Sequence, residues 1–231
     1  MSTFAVIPAR GGSKRIPEKV LQKVGNQTLL ERTIGVCQES GIFDNILVST
    51  DSTRVAKVAE KKGVHVPFLR DRFADDFSPV SSATAHTLET YREINGGLGE
   101  GVVVQTMPTC PFLTSKTIAD FYVNYLSLHQ VDSLISCTKA APLVRFGFEL
   151  MEGGLPVYLD KKLDPLSRTQ DYPPVFLPSG ALWVSSITNI LKTKSFYSGS
   201  VRFCEISFWE GFDIDTPDEL ELAQALASTR G

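Results

Sequence analysis

A chain of 231 residues, 42% hydrophobic and 21% charged, fits a single α/β domain with room for an embedded subdomain. Its formal net charge of -3 argues against nucleic acid as the main partner, since phosphate-backbone binders are usually basic. No apolar run approaches the roughly 18 residues of a membrane span, no basic-then-apolar leader precedes the first strand, and the four cysteines form no zinc-type cluster. The expectation is a cytoplasmic protein.

Phe4 to Pro8 is an apolar run that predicts a short buried strand. The segment after it, Ala9-Arg10-Gly11-Gly12-Ser13-Lys14-Arg15-Ile16-Pro17-Glu18-Lys19, carries four cations within ten residues. Gly11 and Gly12 let backbone N–H groups turn inward, which makes a concave anion nest with arginine and lysine as countercharge. The pattern is neither G-x-x-x-x-G-K-[ST] nor G-x-G-x-x-G. A phosphate-binding loop is favoured over a solvated basic turn, because it follows the first strand, where open α/β sheets bind ligands.

Apolar spacing predicts a helix from Thr28 to Glu39, ended by Gly41. A buried strand, Ile46 to Thr50, leads to Asp51 and Ser52, which can cap the next helix, Thr53 to Lys62. Asp51 has a second reading, assistance to a metal; a cap is favoured. Residues 64–78 are irregular. A helix from Val80 to Ile94 precedes a strand at Val102 to Gln105, the rigid turn Met107 to Pro111, a helix from Ser115 to Leu128 and a strand at Ser133 to Cys137. Cys110 lacks a nearby base, so it reads as packing rather than a nucleophile. No histidine has the context of a triad. Strand and helix alternating at this spacing predict a doubly wound, mainly parallel sheet.

From Lys139 to Pro178 six prolines exclude a regular helix or a central strand, yet apolar residues remain frequent. This reads as an inserted antiparallel ribbon and arm at about 139–178 within one domain, with a second subunit as a place to bury its apolar face. Strands follow at Ala181 to Ser185 and Val201 to Ile206. The final helix, Pro217 to Leu226, opens with a capping box of Thr216 and Glu219.

Just before that helix lies Gly211-Phe212-Asp213-Ile214-Asp215. In an extended segment Asp213 and Asp215 project to the same side and could hold magnesium, which takes one or two carboxylates plus waters and phosphates. They could equally decorate the helix N-terminus, where negative charge is favoured.

The first loop, read as I-P-A-R-G-G-S-K-R-I-P-x-K, resembles the signature of the acylneuraminate cytidylyltransferases, and the likeness runs through nearly the whole chain. Phe68-Leu69-Arg70 with Ala74-Asp75-Asp76 is similar to the family's cytosine-side segment, and Pro108 to Pro111 to its P-T-[SC]-P turn. Arg168-Thr169-Gln170-Asp171-Tyr172-Pro173-Pro174 is similar to the arm bordering the sugar, and Pro178-Ser179-Gly180-Ala181-Leu182-Trp183 to P-N-G-A-I-Y. Asp213 and Asp215 match the magnesium-binding segment. The resemblance implies a nucleotidyltransferase-like fold, a homodimer joined through the arm, CTP and a 2-keto-3-deoxy sugar acid as substrates, and Mg2+. It implies Arg10, Lys19, Asp213 and Asp215 as catalytic. Ala9, Arg10, Gly11, Gly12, Ser13, Lys14, Lys19, Arg70 and Asp76 would bind the nucleotide. Gln105, Arg168, Gln170, Phe176 and Trp183 would bind the sugar.

Several positions depart from the family. Val20 replaces asparagine, Met107 replaces a sugar-contacting glutamine, Thr169 an arginine, Leu177 an arginine and Ser179 an asparagine. Most lie on the sugar side, where polar groups have become smaller or apolar. The expected reaction is transfer of CMP from CTP to a sialic-acid-like sugar, with a deoxygenated relative such as legionaminic or pseudaminic acid favoured, and Arg168 as the best cation for its carboxylate. A relative acting on Kdo or another sugar, and an inactive nucleotide- or sugar-binding protein, are the alternatives.

Overall fold

The computed structural model describes residues 1–73, 78–162 and 164–229. In chain order the strands are β1 (Ser2–Pro8), β2 (Lys23–Val24), β3 (Gln27–Thr28), β4 (Asn45–Ser49), β5 (Gly101–Thr106), β6 (Ser133–Lys139), β7 (Phe148–Leu150), β8 (Pro156–Tyr158), β9 (Phe176–Ser186) and β10 (Val201–Glu205). The helices are α1 (Leu29–Ser40), α2 (Thr53–Lys61), α3 (Val80–Asn95), α4 (Ser115–Ser127), α5 (Ile187–Thr193) and α6 (Pro217–Thr229).

Among the described residues the main sheet has six strands, in the order β10-β6-β9-β5-β1-β4. All its neighbouring pairs are parallel except those made by β9, which runs antiparallel to β5 and β6. The expected mainly parallel sheet is therefore present, with one reversed strand. Alternation along the strands divides the core. Ala5, Ile7, Val102 and Val104 meet α1, α2 and α4 through Leu30, Ile34, Val55, Ala59 and Ile118. Phe4, Val6 and Val103 face the other way, toward Ala85 and Leu88 of α3 and Ile187 and Ile190 of α5. Helices on both faces make the sheet doubly wound. A third cluster, Ile16, Val24, Leu29, Ile214 and Ala223, seats α6 against the first loop.

The helix ends follow local chemistry. Thr28 and Glu31 close a capping box at α1, whose C-terminus Gly41 ends in the left-handed region at φ 67°. At α6 the Thr216 and Glu219 box forms, and the Glu219 carboxylate also accepts from the Asp215 N–H at 2.7 Å.

Three groups of features differ from the sequence expectation. The two-residue strands of the β2–β3 hairpin and the short helix α5, capped by Ser186, were not anticipated. β9 begins at Phe176 and includes Pro178, which pairs with Cys137 of β6. Pro178 is tolerated because β5 pairs with β9 only from Leu182 onward, leaving that edge of β9 without a partner strand at the proline. The third concerns Asp51, described below. Within 139–178, β7 and β8 form an antiparallel hairpin, and Leu143, Phe148, Leu150 and Leu155 are exposed.

Candidate active site

The first loop begins where β1 ends. Ala9 is buried, and its N–H bonds to the Ser49 carbonyl of β4 at 2.8 Å. The Gly11 N–H donates to Asp51 Oδ1 at 2.7 Å. A Cβ on Gly11 would lie 2.6 Å from the Cβ of Ser52, so the loop packs onto the start of α2 only because residue 11 has none. Asp51 therefore does not cap α2; Ser52 does, accepting from the Val55 N–H. Asp51 is spent on the loop. Gly12 has open space on its Cβ side and Lys14 is exposed. Ser13 is half-buried between them.

The loop's last cations meet the far end of the chain. Lys19 Nζ donates to the Ile214 carbonyl at 2.8 Å and to Asp215 Oδ1 at 3.0 Å. Arg15 Nη2 donates to the same oxygen at 2.8 Å. The structure thus brings together the two segments that the sequence singled out. Burial pushes the Asp215 carboxyl upward, but Lys19 and Arg15 outweigh it, and the group lies below the usual aspartate value. Its Oδ2 accepts no hydrogen bond among the described residues.

Asp213 is the more enclosed carboxylate. Burial raises its pKa, the Thr109 hydroxyl opposes this, and the charge of Asp215 adds to it. Its Oδ1 is buried and has no hydrogen-bond partner among the described residues. An unmatched buried acceptor costs about 1–3 kcal/mol. A divalent cation between the two carboxylates would satisfy it. Among the described residues no three His, Cys, Asp or Glu side chains gather as metal ligands. Two carboxylates nevertheless suit magnesium, which completes its shell with water and phosphate oxygens. The residues present fit that ion.

Arg10 and Arg70 line one cleft of about 150 Å³ with Pro8, Phe73, Ser78, Val80, Ala83 and Met107. Arg70 is 5% exposed, and its Nε has no hydrogen-bond partner among the described residues. Burial pulls its pKa down; Asp51 opposes this and Arg10 adds to it. Asp76, the other residue expected beside the nucleotide, lies outside the described residues. Cys110 is buried, and burial first and then Asp213 push its thiol well above the ordinary value, which suits packing and not a thiolate nucleophile.

The expected sugar-side residues occupy several places. Gln105 is buried and its carbonyl oxygen accepts from the Thr84 hydroxyl at 2.7 Å. Trp183 packs against the α3–α5 core. Arg168 is held in the arm by Asp171, at 3.2 and 3.0 Å. Gln170 lines a separate cleft of about 270 Å³ with Lys139, Arg145, Thr169 and Tyr172. Phe176 lines another with Phe203. Sequence reasoning missed the roles of Arg15 and Asp51; Arg15 was visible as a loop cation, with nothing local to name its partner.

The family model described as cytidylyltransferase matches residues 4–230. The chain belongs to the cytidylyltransferase family. It is 30% identical over 230 residues to the CMP-N,N'-diacetyllegionaminic acid synthase of Legionella pneumophila, covering 98% of this chain and 96% of that one. It is 28% identical over 227 residues to the pseudaminic acid cytidylyltransferase of Campylobacter jejuni, with the same coverage of 98% and 96%. A solved CMP:2-keto-3-deoxy-manno-octonic acid synthetase complexed with CTP shares the fold, with a TM-score of 0.76 at 15% identity and 100% of both chains covered. Within this cytidylyltransferase the departing residues fall in different places. Val20 is a core residue, Met107 lines the cleft of Arg10 and Arg70, Thr169 lines the arm cleft, Leu177 is exposed and Ser179 is buried. Among the described residues no helix is long and apolar enough to cross a membrane.

Proposed function

We propose that this cytidylyltransferase transfers CMP from CTP to the anomeric hydroxyl of an acylated nonulosonic acid of the legionaminic or pseudaminic type. The observation that carries the reading is the junction at Asp215, where a glycine-rich basic loop and a carboxylate pair meet through Lys19 and Arg15. A polyphosphate loop and a metal-holding pair are the two parts that nucleotidyl transfer requires.

The acceptor oxygen forms a bond to the α-phosphorus as the bond to pyrophosphate breaks, and the hydroxyl proton passes to solvent. Such transfer is largely positioning and electrostatics. An ammonium has three donors; Lys19 spends two on Ile214 and Asp215, which leaves one for a phosphate oxygen. Arg10 and Arg70 provide charge along the cleft beside the loop. Gly12, Ser13 and Lys14 provide the open part of the nest, since the Gly11 N–H is engaged by Asp51. Magnesium at Asp213 and Asp215 would neutralise phosphate charge when bound.

The acceptor class is supported by the relatives in Legionella and Campylobacter, named for legionaminic and pseudaminic acids. It is also supported by the apolar Met107 and Leu177, which suit a sugar with fewer hydroxyls. With Arg168 paired to Asp171, the sugar carboxylate has Lys139 as a further cation on the arm cleft, and Arg145, which already donates to the Pro173 carbonyl and lies 4.0 Å from Asp160. The exposed apolar residues of β7, β8 and the preceding turn favour a homodimer through the arm, which sedimentation would reveal as twice the chain mass. The use of CTP favours the cytoplasm as its place of work.

The test is pyrophosphate release from CTP and magnesium with legionaminic, pseudaminic, N-acetylneuraminic and Kdo acids. Release with a deoxygenated nonulosonate is expected. Release with N-acetylneuraminic or Kdo acid alone would overturn the acceptor class. Silence across the panel with CTP bound would overturn the reaction.

A further inference from the structure

The reversed strand β9 does not pair evenly. Along its ladder with β6, Ile135 faces Trp183 and Cys137 faces Pro178, so two steps on β6 answer five on β9. Residues 179–182, four residues standing against Ser136 alone, form a bulge within the β6–β9 ladder. Bulges re-aim chain at barrel rims and next to active sites.

Ser136 lies opposite the bulge and is fully buried. Its Oγ is 2.6 Å from Ser179 Oγ, donates to the Leu182 carbonyl at 3.0 Å and accepts from the Leu182 N–H at 2.9 Å. A hydroxyl has one proton and two lone pairs. With its proton on Leu182, Ser136 accepts from both Leu182 and Ser179, and every site is used. The bulge is therefore fastened from β6 by one side chain. Ser179 is 7% exposed and also accepts from the Ala181 N–H.

Gly180 stands at the apex with φ 71°. A Cβ there would lie 3.1 Å from Asp213 Oδ2. The Cys110 thiol donates to the Gly180 carbonyl, the Met107 N–H to the Ala181 carbonyl, and the Ile214 N–H to the Thr109 carbonyl at 2.9 Å. The bulge and the Met107 to Pro111 turn are thus tied to each other and to the segment that carries Asp213.

We infer that Ser136 and Ser179 are positioning residues that hold the β9 bulge, and with it the Gly180 backbone, as the wall fixing the Asp213 carboxylate for a divalent cation. The inference rests on the metal reading above. It assigns Ser179, which replaces the family's sugar-side asparagine, to the support of the carboxylate and away from the sugar.

The test measures Mn2+ binding to the full chain with CTP present, by the free-ion electron spin resonance signal, alongside CTP binding without metal. Ser136→Ala should weaken Mn2+ by about tenfold or more, the usual effect of removing a group that orients a metal ligand. Metal-free CTP affinity should stay within about twofold. Ser179→Ala should act in the same direction with a smaller loss. The double variant should be no worse than Ser136→Ala, because the two hydroxyls act as one unit. Should Ser136→Ala fail to fold, Ser179→Ala and Gly180→Ala, which presses a methyl toward Asp213, carry the test. Wild-type Mn2+ affinity in the folded variants would overturn the inference, as would an equal loss of metal-free CTP binding. Absence of Mn2+ binding by the unmodified chain would instead overturn the metal reading itself.

Discussion

Lys19→Ala removes the link between the two halves of the site. The ammonium makes two hydrogen bonds, to Ile214 at 2.8 Å and Asp215 at 3.0 Å, and its side chain is 16% exposed. Bonds to charged groups contribute about 1.5–3 kcal/mol each. Asp215 is 43% exposed and keeps Arg15, so solvent screening reduces its share to about 0.5 kcal/mol, the size of an exposed ion pair. A stability loss of about 2 kcal/mol follows, or roughly 4–8 °C in Tm for a chain of this size. The effect on turnover should be larger. Losing one preorganised donor at a developing charge costs about 10²-fold or more in kcat, which is about 2.7 kcal/mol. Lys19→Arg keeps the charge but replaces a compact point with a planar fork, and should recover stability better than rate. The assay is steady-state pyrophosphate release with a thermal melt on the same samples. Turnover within about threefold of the parent, with the expected loss of Tm, would make Lys19 a strut and remove it from the chemistry.

Asp215→Asn should cut turnover by about 10²-fold, as for loss of a transition-state group, with little change in CTP affinity measured by calorimetry. Comparable losses in both would assign Asp215 a structural role. Asp51→Ala frees the Gly11 N–H and loosens the loop. CTP KM should rise by about tenfold, the order of one charge-assisted hydrogen bond, and Asp51→Asn, which keeps an acceptor, should stay near the parent. A fall in KM would mean that the Asp51 carboxylate competes with phosphate. Glu210 receives the hydroxyls of Thr114, Thr117 and Ser207, tying the segment before Asp213 to α4. Burial pushes its pKa up, but these hydroxyls outweigh it and hold it below the ordinary 4.5. A depressed folded pKa gives stability that is present above the unfolded value and lost as pH falls through the folded one. Glu210→Gln should therefore be less stable at neutral pH, and its gap from the parent in urea melts should shrink below about pH 4.5. A gap independent of pH would refute this.

The strands and long helices were legible because each leaves a local mark. Parallel strands buried on both faces are apolar runs, as at Val102 to Val104, and α1 and α3 end where a glycine takes the left-handed conformation. What left no mark was short or conditional. Seven residues of α5 are too few to display a period, and Pro178 is acceptable in β9 only because a neighbour strand has already ended. Asp51 and Ser52 were equally good caps by type, and only the Gly11 N–H, which engages Asp51 from the first loop, decides between them.

The same distinction governs the site. The loop cations and the aspartate pair were visible as residue types, because phosphate and magnesium demand those types within a few residues. Their meeting was not, because Lys19 and Asp215 stand 196 positions apart and neither segment contains a trace of the other. Arg168 shows a related effect. Its family position suggested a cation for the sugar carboxylate; Asp171, three residues along the same turn, pairs with its guanidinium. A charge is available to a ligand only when the fold leaves it without a nearer partner. Lys19 meets that condition in part, with one donor uncommitted, whereas Arg168 would have to exchange Asp171 for a ligand carboxylate. Removing the charge of Asp171 would therefore separate the two roles. Asp171→Asn should free Arg168 and lower the acceptor KM if Arg168 binds the carboxylate, and should leave it unchanged if Lys139 and Arg145 do.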